Sequence, residues 1–254
     1  MSNLLQVLLL AMFPALGNLA GGVIAELVRT TRRKLSIALH LAAGIVFGVI
    51  AVELAPRTLG GMEPWLAVLG FLAGGVAFVS VNGLIKRSQA QTTSSLDSES
   101  SQGREGRQGG AWSIYTAVAI DLFGDGLLIG ASSSISFDLA LILALGQVTA
   151  DIPEGFAAIA TFRDEGVPRT KRLLLAISFT APVLVGALVS YFFLRDQSEA
   201  YQLTALAFIA GMLLVAAAEE IMTEAHEVYP PSKLSSLAVI GGFGLFALVA
   251  SYFE

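Results

Sequence analysis

Long apolar runs alternate with short polar connections along most of the chain. Eight of these runs reach spanning length, covering about 4–28, 35–55, 64–85, 112–135, 138–162, 172–194, 201–223 and 235–253. A run of this length with few charges is a transmembrane candidate. In lipid the backbone must bond to itself, so each span is predicted to be a helix. The one long polar segment is KRSQAQTTSSLDSESSQGREGRQGG, residues 86–110. Its Ser, Gln and Gly content, almost without apolar residues, predicts a disordered loop. The pattern therefore predicts an all-α polytopic membrane protein forming a single transmembrane domain over 1–254.

Composition agrees with the pattern. The 254 residues are 55% hydrophobic and only 14% charged, against about 25% charged in a soluble domain. The chain has no cysteine, which excludes disulfides, thiolate metal sites and cysteine catalysis. The first run has no basic region before it and no small-residue cleavage site, so it is expected to be a retained helix. With the N-terminus outside, all of the fifteen Lys and Arg residues except Arg57 and Arg195 fall on one face. That asymmetry predicts a multi-pass protein of the cell membrane, with both termini outside and the polar loop in the cytoplasm. The expected surroundings are the lipid bilayer, with a homodimer as the candidate assembly and no nucleic acid.

A faint repeat runs through the sequence at an offset of about 167 residues. Ala43-Gly44 returns as Ala210-Gly211, Glu53 as Glu220 and Gly74-Gly75 as Gly241-Gly242. Five spans separate the paired elements, so the triplets are inverted, as in many secondary transporters. The expected architecture is 3+2+3, inverted triplets around a central helix pair.

That central pair carries the unusual chemistry. The fourth segment contains AIDLFGDGLLIG, with Asp121 and Asp125 four apart; the fifth contains ADIPEG, with Asp151 and Glu154 three apart. Each pair lies on one helical face. A very short connection makes the two helices antiparallel neighbours, which brings Asp125 level with Asp151, and Asp121 level with Glu154 one turn further in. An aspartate at a helix centre costs about 2.5–3.5 kcal/mol to insert, so four cost on the order of 10 kcal/mol before repulsion. No basic side chain in either segment lies at that depth. The missing partner is a cation from solution, bound protons, or both. Pro153 and Gly124 are expected to break helix geometry here: Pro153 has no N–H and leaves the carbonyl of Thr149 free. Gly124, Gly126 and Gly155 are expected to let the two helices approach closely. An all-oxygen cage suits hard or borderline divalent cations.

These residues resemble the ZIP family of divalent metal transporters, whose fourth and fifth helices carry HNxPEG-like and [HQ][ND]xPEG-like motifs. The resemblance covers the whole chain and is direct at Asp151, Pro153, Glu154 and Gly155. In the fourth helix Asp121 stands for a metal-binding His, Leu122 for Asn, Gly124 for Pro and Asp125 for Glu. Ala150 replaces a His or Gln, Ala181 a Glu before Pro182, and Glu219-Glu220 a His-Glu pair. With Leu122 and Ala181 replacing two ligands, the second of the family's two adjacent metal positions is expected to be lost. The resemblance implies transport toward the cytoplasm of one divalent metal cation as substrate (zinc, iron or manganese), held by Asp121, Asp125, Asp151 and Glu154, and no enzyme activity. The absence of histidine moves weight toward manganese, iron or another hard cation. One dication against four carboxylates leaves two negative charges in excess, so arriving metal is expected to release protons.

Glu219, Glu220 and His226, with Glu224 and Glu227, are a candidate exit pathway or a solvated helix end. His40 is a candidate interfacial residue or metal contact. Glu53 and Asp138 read as solvated helix ends, Glu26 as interfacial, and Asn18 and Asn82 as interhelical hydrogen-bonders. The competing readings are a proton-coupled carrier or channel not specific for divalent metals, a metal sensor that does not transport, and an intramembrane aspartyl protease built on Asp125 and Asp151. Against the last, Leu122 stands where the first glycine of a GxGD signature belongs.

Overall fold

The computed structural model describes residues 3–28, 31–96 and 105–253, and among these eight helices are long and apolar enough to cross a membrane. They are α1 (Asn3–Leu27), α2 (Arg32–Gly61), α3 (Pro64–Leu96), α4 (Glu105–Ile135), α5 (Phe137–Asp164), α6 (Arg169–Leu194), α7 (Glu199–Val228) and α8 (Lys233–Ser251). No strand occurs among the described residues. Polar caps start several of them where the apolar runs begin. The Thr31 hydroxyl accepts from the Lys34 N–H, Ser136 accepts from Leu139 N–H, and Ser232 and Ser235 form a reciprocal capping box. Each cap satisfies an N–H that a helix start leaves without an intrahelical partner.

The polar segment differs from its compositional reading. Helix α3 continues to Leu96 and α4 begins at Glu105, so residues 86–96 and 105–110 are helical rather than disordered; 97–104 lie outside the described residues. Extending a helix that already exists adds one hydrogen bond per residue fixed, without a new nucleation cost. A membrane span thus carries its polar continuation, which composition alone does not register.

Packing follows a two-fold pattern. The closest partnerships are α1 with α5, α6 with α4, α2 with α8, and α7 with α3. Exchanging α1–α3 for α6–α8, and α4 for α5, maps each partnership onto another. The inverted triplets therefore surround the central α4–α5 pair. Glycines make these contacts close: a Cβ at Gly44 would overlap the Val239 carbonyl oxygen, and one at Gly211 the Phe71 carbonyl oxygen. These two positions are repeat equivalents. Helix α2 widens into a π-helical stretch at Val49–Leu54, and α7 does so at Ala216–Ile221, again at the repeat offset. Each stretch holds one glutamate of the equivalent pair, Glu53 and Glu220.

An ion pair and a hydrogen bond from an arginine tie helix ends. Arg172 of α6 donates from Nε and Nη2 to the two carboxylate oxygens of Glu26 on α1, at 2.5 and 2.9 Å. Both side chains are almost wholly buried, at 10% and 7% exposure. Arg163 donates to the Ala25 carbonyl oxygen at 2.8 Å. Glu26 is therefore a clamp between helices and not a free interfacial charge. Glu53 differs from expectation in the same way: it is buried and accepts from Arg57 at 2.6 and 2.9 Å. Asp138 is exposed in the first turn of α5, where an acid complements the helix dipole.

Candidate metal centre

Helices α4 and α5 bring all four acids together as two facing pairs. Asp121 contacts Glu154 side chain to side chain, and Asp125 contacts Asp151 in the same way. Asp125, Asp151 and Glu154 are buried, while Asp121 is half-buried. Ionised carboxylates are acceptors only. Two that face each other are therefore joined by a shared proton or bridged by a cation. Asp125 Oδ2 and Asp151 Oδ2 are buried with no hydrogen-bond partner, and such groups are costly unless something satisfies them. Among the described residues, no three His, Asp or Glu side chains already close around one point as a finished cage. The pairs are stacked along the helices, and gathering them on one ion requires side-chain rotation.

Neither Pro153 nor Gly124 breaks its helix, contrary to the expectation from sequence. Helix α5 runs unbroken through Pro153, and α4 through Gly124. Proline here removes one hydrogen bond and leaves the chain helical. The glycines also work differently from expectation. A Cβ on Gly155 would overlap the Asn18 carbonyl oxygen of α1, and one on Gly126 the Val183 carbonyl oxygen of α6, while Gly124 faces open space. They press the central pair against its outer neighbours, and not α4 against α5.

Two polar residues join the site unannounced by any motif. Gln147, one turn before Asp151, is buried, and its Nε2 donates to Asp125 Oδ1. Its Oε1 has no partner. Asn18 of α1 is 1% exposed with both side-chain polar atoms unpartnered, so the hydrogen bond expected of it is absent. Gly17 packs on the Cβ of Asp151, and Asn18 on Gly155, which sets Asn18 beside the acidic face of α5. A solitary amide in an apolar run carries no spacing signal, so only the packing reveals either residue.

The acids open into a cavity of about 320 Å3 lined by Asp121 and Glu154 at one end and by Glu219, Glu220, Glu224 and Glu227 of α7 at the other. It leads toward the end of the bundle that holds most of the Lys and Arg residues. Glu220 accepts from Asn82 Nδ2 of α3 at 2.6 Å, the interhelical bond expected of Asn82. His226, next in sequence to the cavity-lining Glu227, is exposed and lies 5.1 Å between ring centroids from the buried His40 of α2. Leu122 is fully buried and Ala181 exposed, and neither offers a ligand.

Eight helices long and apolar enough to cross a membrane thus enclose a cluster of carboxylates that opens into an acidic cavity. Residues 85–250 match the family described as ZIP Zinc transporter, and the chain belongs to that family. It is similar to proteins named Zinc transporter ZupT along most of its length. With that of Enterobacter sp. (strain 638) it is 23% identical over 230 residues, 89% of this chain and 88% of the relative. With that of Shigella dysenteriae serotype 1 (strain Sd197) it is 24% identical over 234 residues, 89% and 90% of the two chains. Family membership makes divalent metal transport the class of activity and removes the aspartyl protease reading.

Proposed function

We propose that the protein carries a single divalent metal cation through Asp121, Asp125, Asp151 and Glu154 and releases it along the α7 glutamates toward the cytoplasm. The observation that carries this is the pair of buried, unpartnered carboxylate oxygens of Asp125 and Asp151, set one turn behind Asp121 and Glu154, which line a cavity with further carboxylates. A dication supplies the charge that the surrounding helices lack. The ions that fit are zinc, manganese and iron. The relatives are named for zinc, whereas an oxygen-only donor set with an amide favours the harder members. Asp121 and Glu154, at the cavity's head, hand the ion to Glu220 and then to Glu219, Glu224 and Glu227, each step passing it between carboxylates of similar affinity.

The test is competition uptake in proteoliposomes, with radioactive zinc displaced by manganese, iron or magnesium. Wild type should transport, and Asp125→Asn and Glu154→Gln should each lose most of the flux. Unchanged flux in both variants defeats the site assignment.

A further inference from the structure

The chain has two histidines in all, on helices far apart in sequence, and the fold brings them into contact. We propose that His40 and His226 form a second metal site, a two-imidazole station for borderline divalent cations such as zinc, cobalt or nickel at the mouth of the acidic cavity.

Three observations carry it. His40 is 2% exposed and its Nδ1 lies 2.6 Å from the Ser36 carbonyl oxygen. A carbonyl only accepts, so Nδ1 bears the proton and Nε2 keeps its lone pair. Fixing one ring nitrogen on a backbone carbonyl is how metal-binding histidines are oriented. Second, the rings are tilted by 47° with centroids 5.1 Å apart. Two imidazoles on one tetrahedral ion, with metal–nitrogen bonds of about 2.0–2.1 Å, set their centroids about 5 Å apart. Third, Leu39 beside His40, and Glu227 beside His226, line the cavity. The cavity thus runs along the helix segments that carry the imidazoles, and water completes the coordination of an ion held by the pair.

The two centres differ in chemistry. The inner one is built from oxygen and an amide, and suits hard ions as well as zinc. Imidazole discriminates against manganese and magnesium. The pair therefore favours zinc-class cargo at release. That role rests on the proposed transport route, but metal binding by the pair does not.

The experiment is calorimetric titration of Zn2+ and Mn2+ into the full-length protein in nanodiscs. The background variant is Asp125→Asn with Glu154→Gln, tested alone and with His226→Asn or His40→Asn added. His226 is exposed, so its substitution removes little beyond the ring contact with His40; melting curves check both histidine variants. The background should bind one Zn2+ and bind Mn2+ at least tenfold more weakly. Adding His226→Asn should weaken Zn2+ at least tenfold. Zn2+ binding unchanged by both histidine substitutions overturns the proposal, as does equal affinity for Mn2+. If instead the background binds as many Zn2+ ions as wild type, the carboxylate centre is at fault, while the drop on His226→Asn still decides the histidine pair.

Discussion

Gln147 shows how much a single buried side chain governs here. Its amide N–H donates to Asp125 Oδ1, fixing the carboxylate, and leaves its own Oε1 turned free in the same buried region. Leucine has similar volume but supplies neither the donor nor the oxygen. Residues that orient metal ligands typically affect affinity by about 10–100-fold. Gln147→Leu should therefore raise the apparent KM for metal uptake by about tenfold or more while the protein still folds and inserts. An uptake curve matching wild type would remove Gln147 from the site. The four acids were legible beforehand because helical spacing of three and four puts carboxylates on one face. Gln147 and Asn18 were not, because one amide among apolar residues is indistinguishable from a packing residue until its neighbours are known.

At the scale of helices, close backbone approach and one ion pair hold the site in place. Gly155 presses on Asn18 of α1 and Gly21 on Ile152 of α5, a two-sided contact that lets the α1 and α5 backbones meet. Overpacking of a well-packed core costs about 1–3 kcal/mol, and here the obstacle is backbone. Gly155→Leu should lower the melting temperature in detergent and reduce the yield of inserted protein. A conservative Gly124→Ala, where the space is open, should do neither; equal loss in both would show that these contacts are not what limits packing. The Glu26–Arg172 clamp gives a second test. Removing one partner of a buried pair costs about 3–5 kcal/mol when the other charge stays buried and unpaired; here Arg169 Nε, 3.6 Å from Glu26 Oε2, offsets part of that cost. Arg172→Ala should destabilise more than the double variant Arg172→Ala with Glu26→Ala, as read by thermal melting. Equal destabilisation in the two would mean the pair is solvated. Sequence reading could place Glu26 at a helix end but could not pair it, since its partner lies on α6, five helices later in the chain.

For the whole molecule, hydropathy and the offset repeat made the architecture readable. The period of apolar runs gave eight helices, and the echo of glycines and glutamates gave their inverted pairing. The π-helical stretches were not readable, because an extra residue in a turn leaves no compositional mark. Charge gives the last prediction. At the proposed site, one dication would displace the protons shared within the two facing carboxyl pairs, since each pair is held by either a shared proton or a metal. Ligand carboxyls must be deprotonated to bind metal, so affinity rises with pH and binding expels protons. Adding Zn2+ or Mn2+ to the protein in weakly buffered nanodiscs should acidify the medium, and the signal should shrink as pH rises and fewer protons remain to displace. Asp125→Asn removes one exchangeable group and should reduce the number of protons released per metal bound. A metal that binds with no pH change at any starting pH would mean that the carboxylates are already fully ionised, with their excess charge balanced by some other cation held in the bundle.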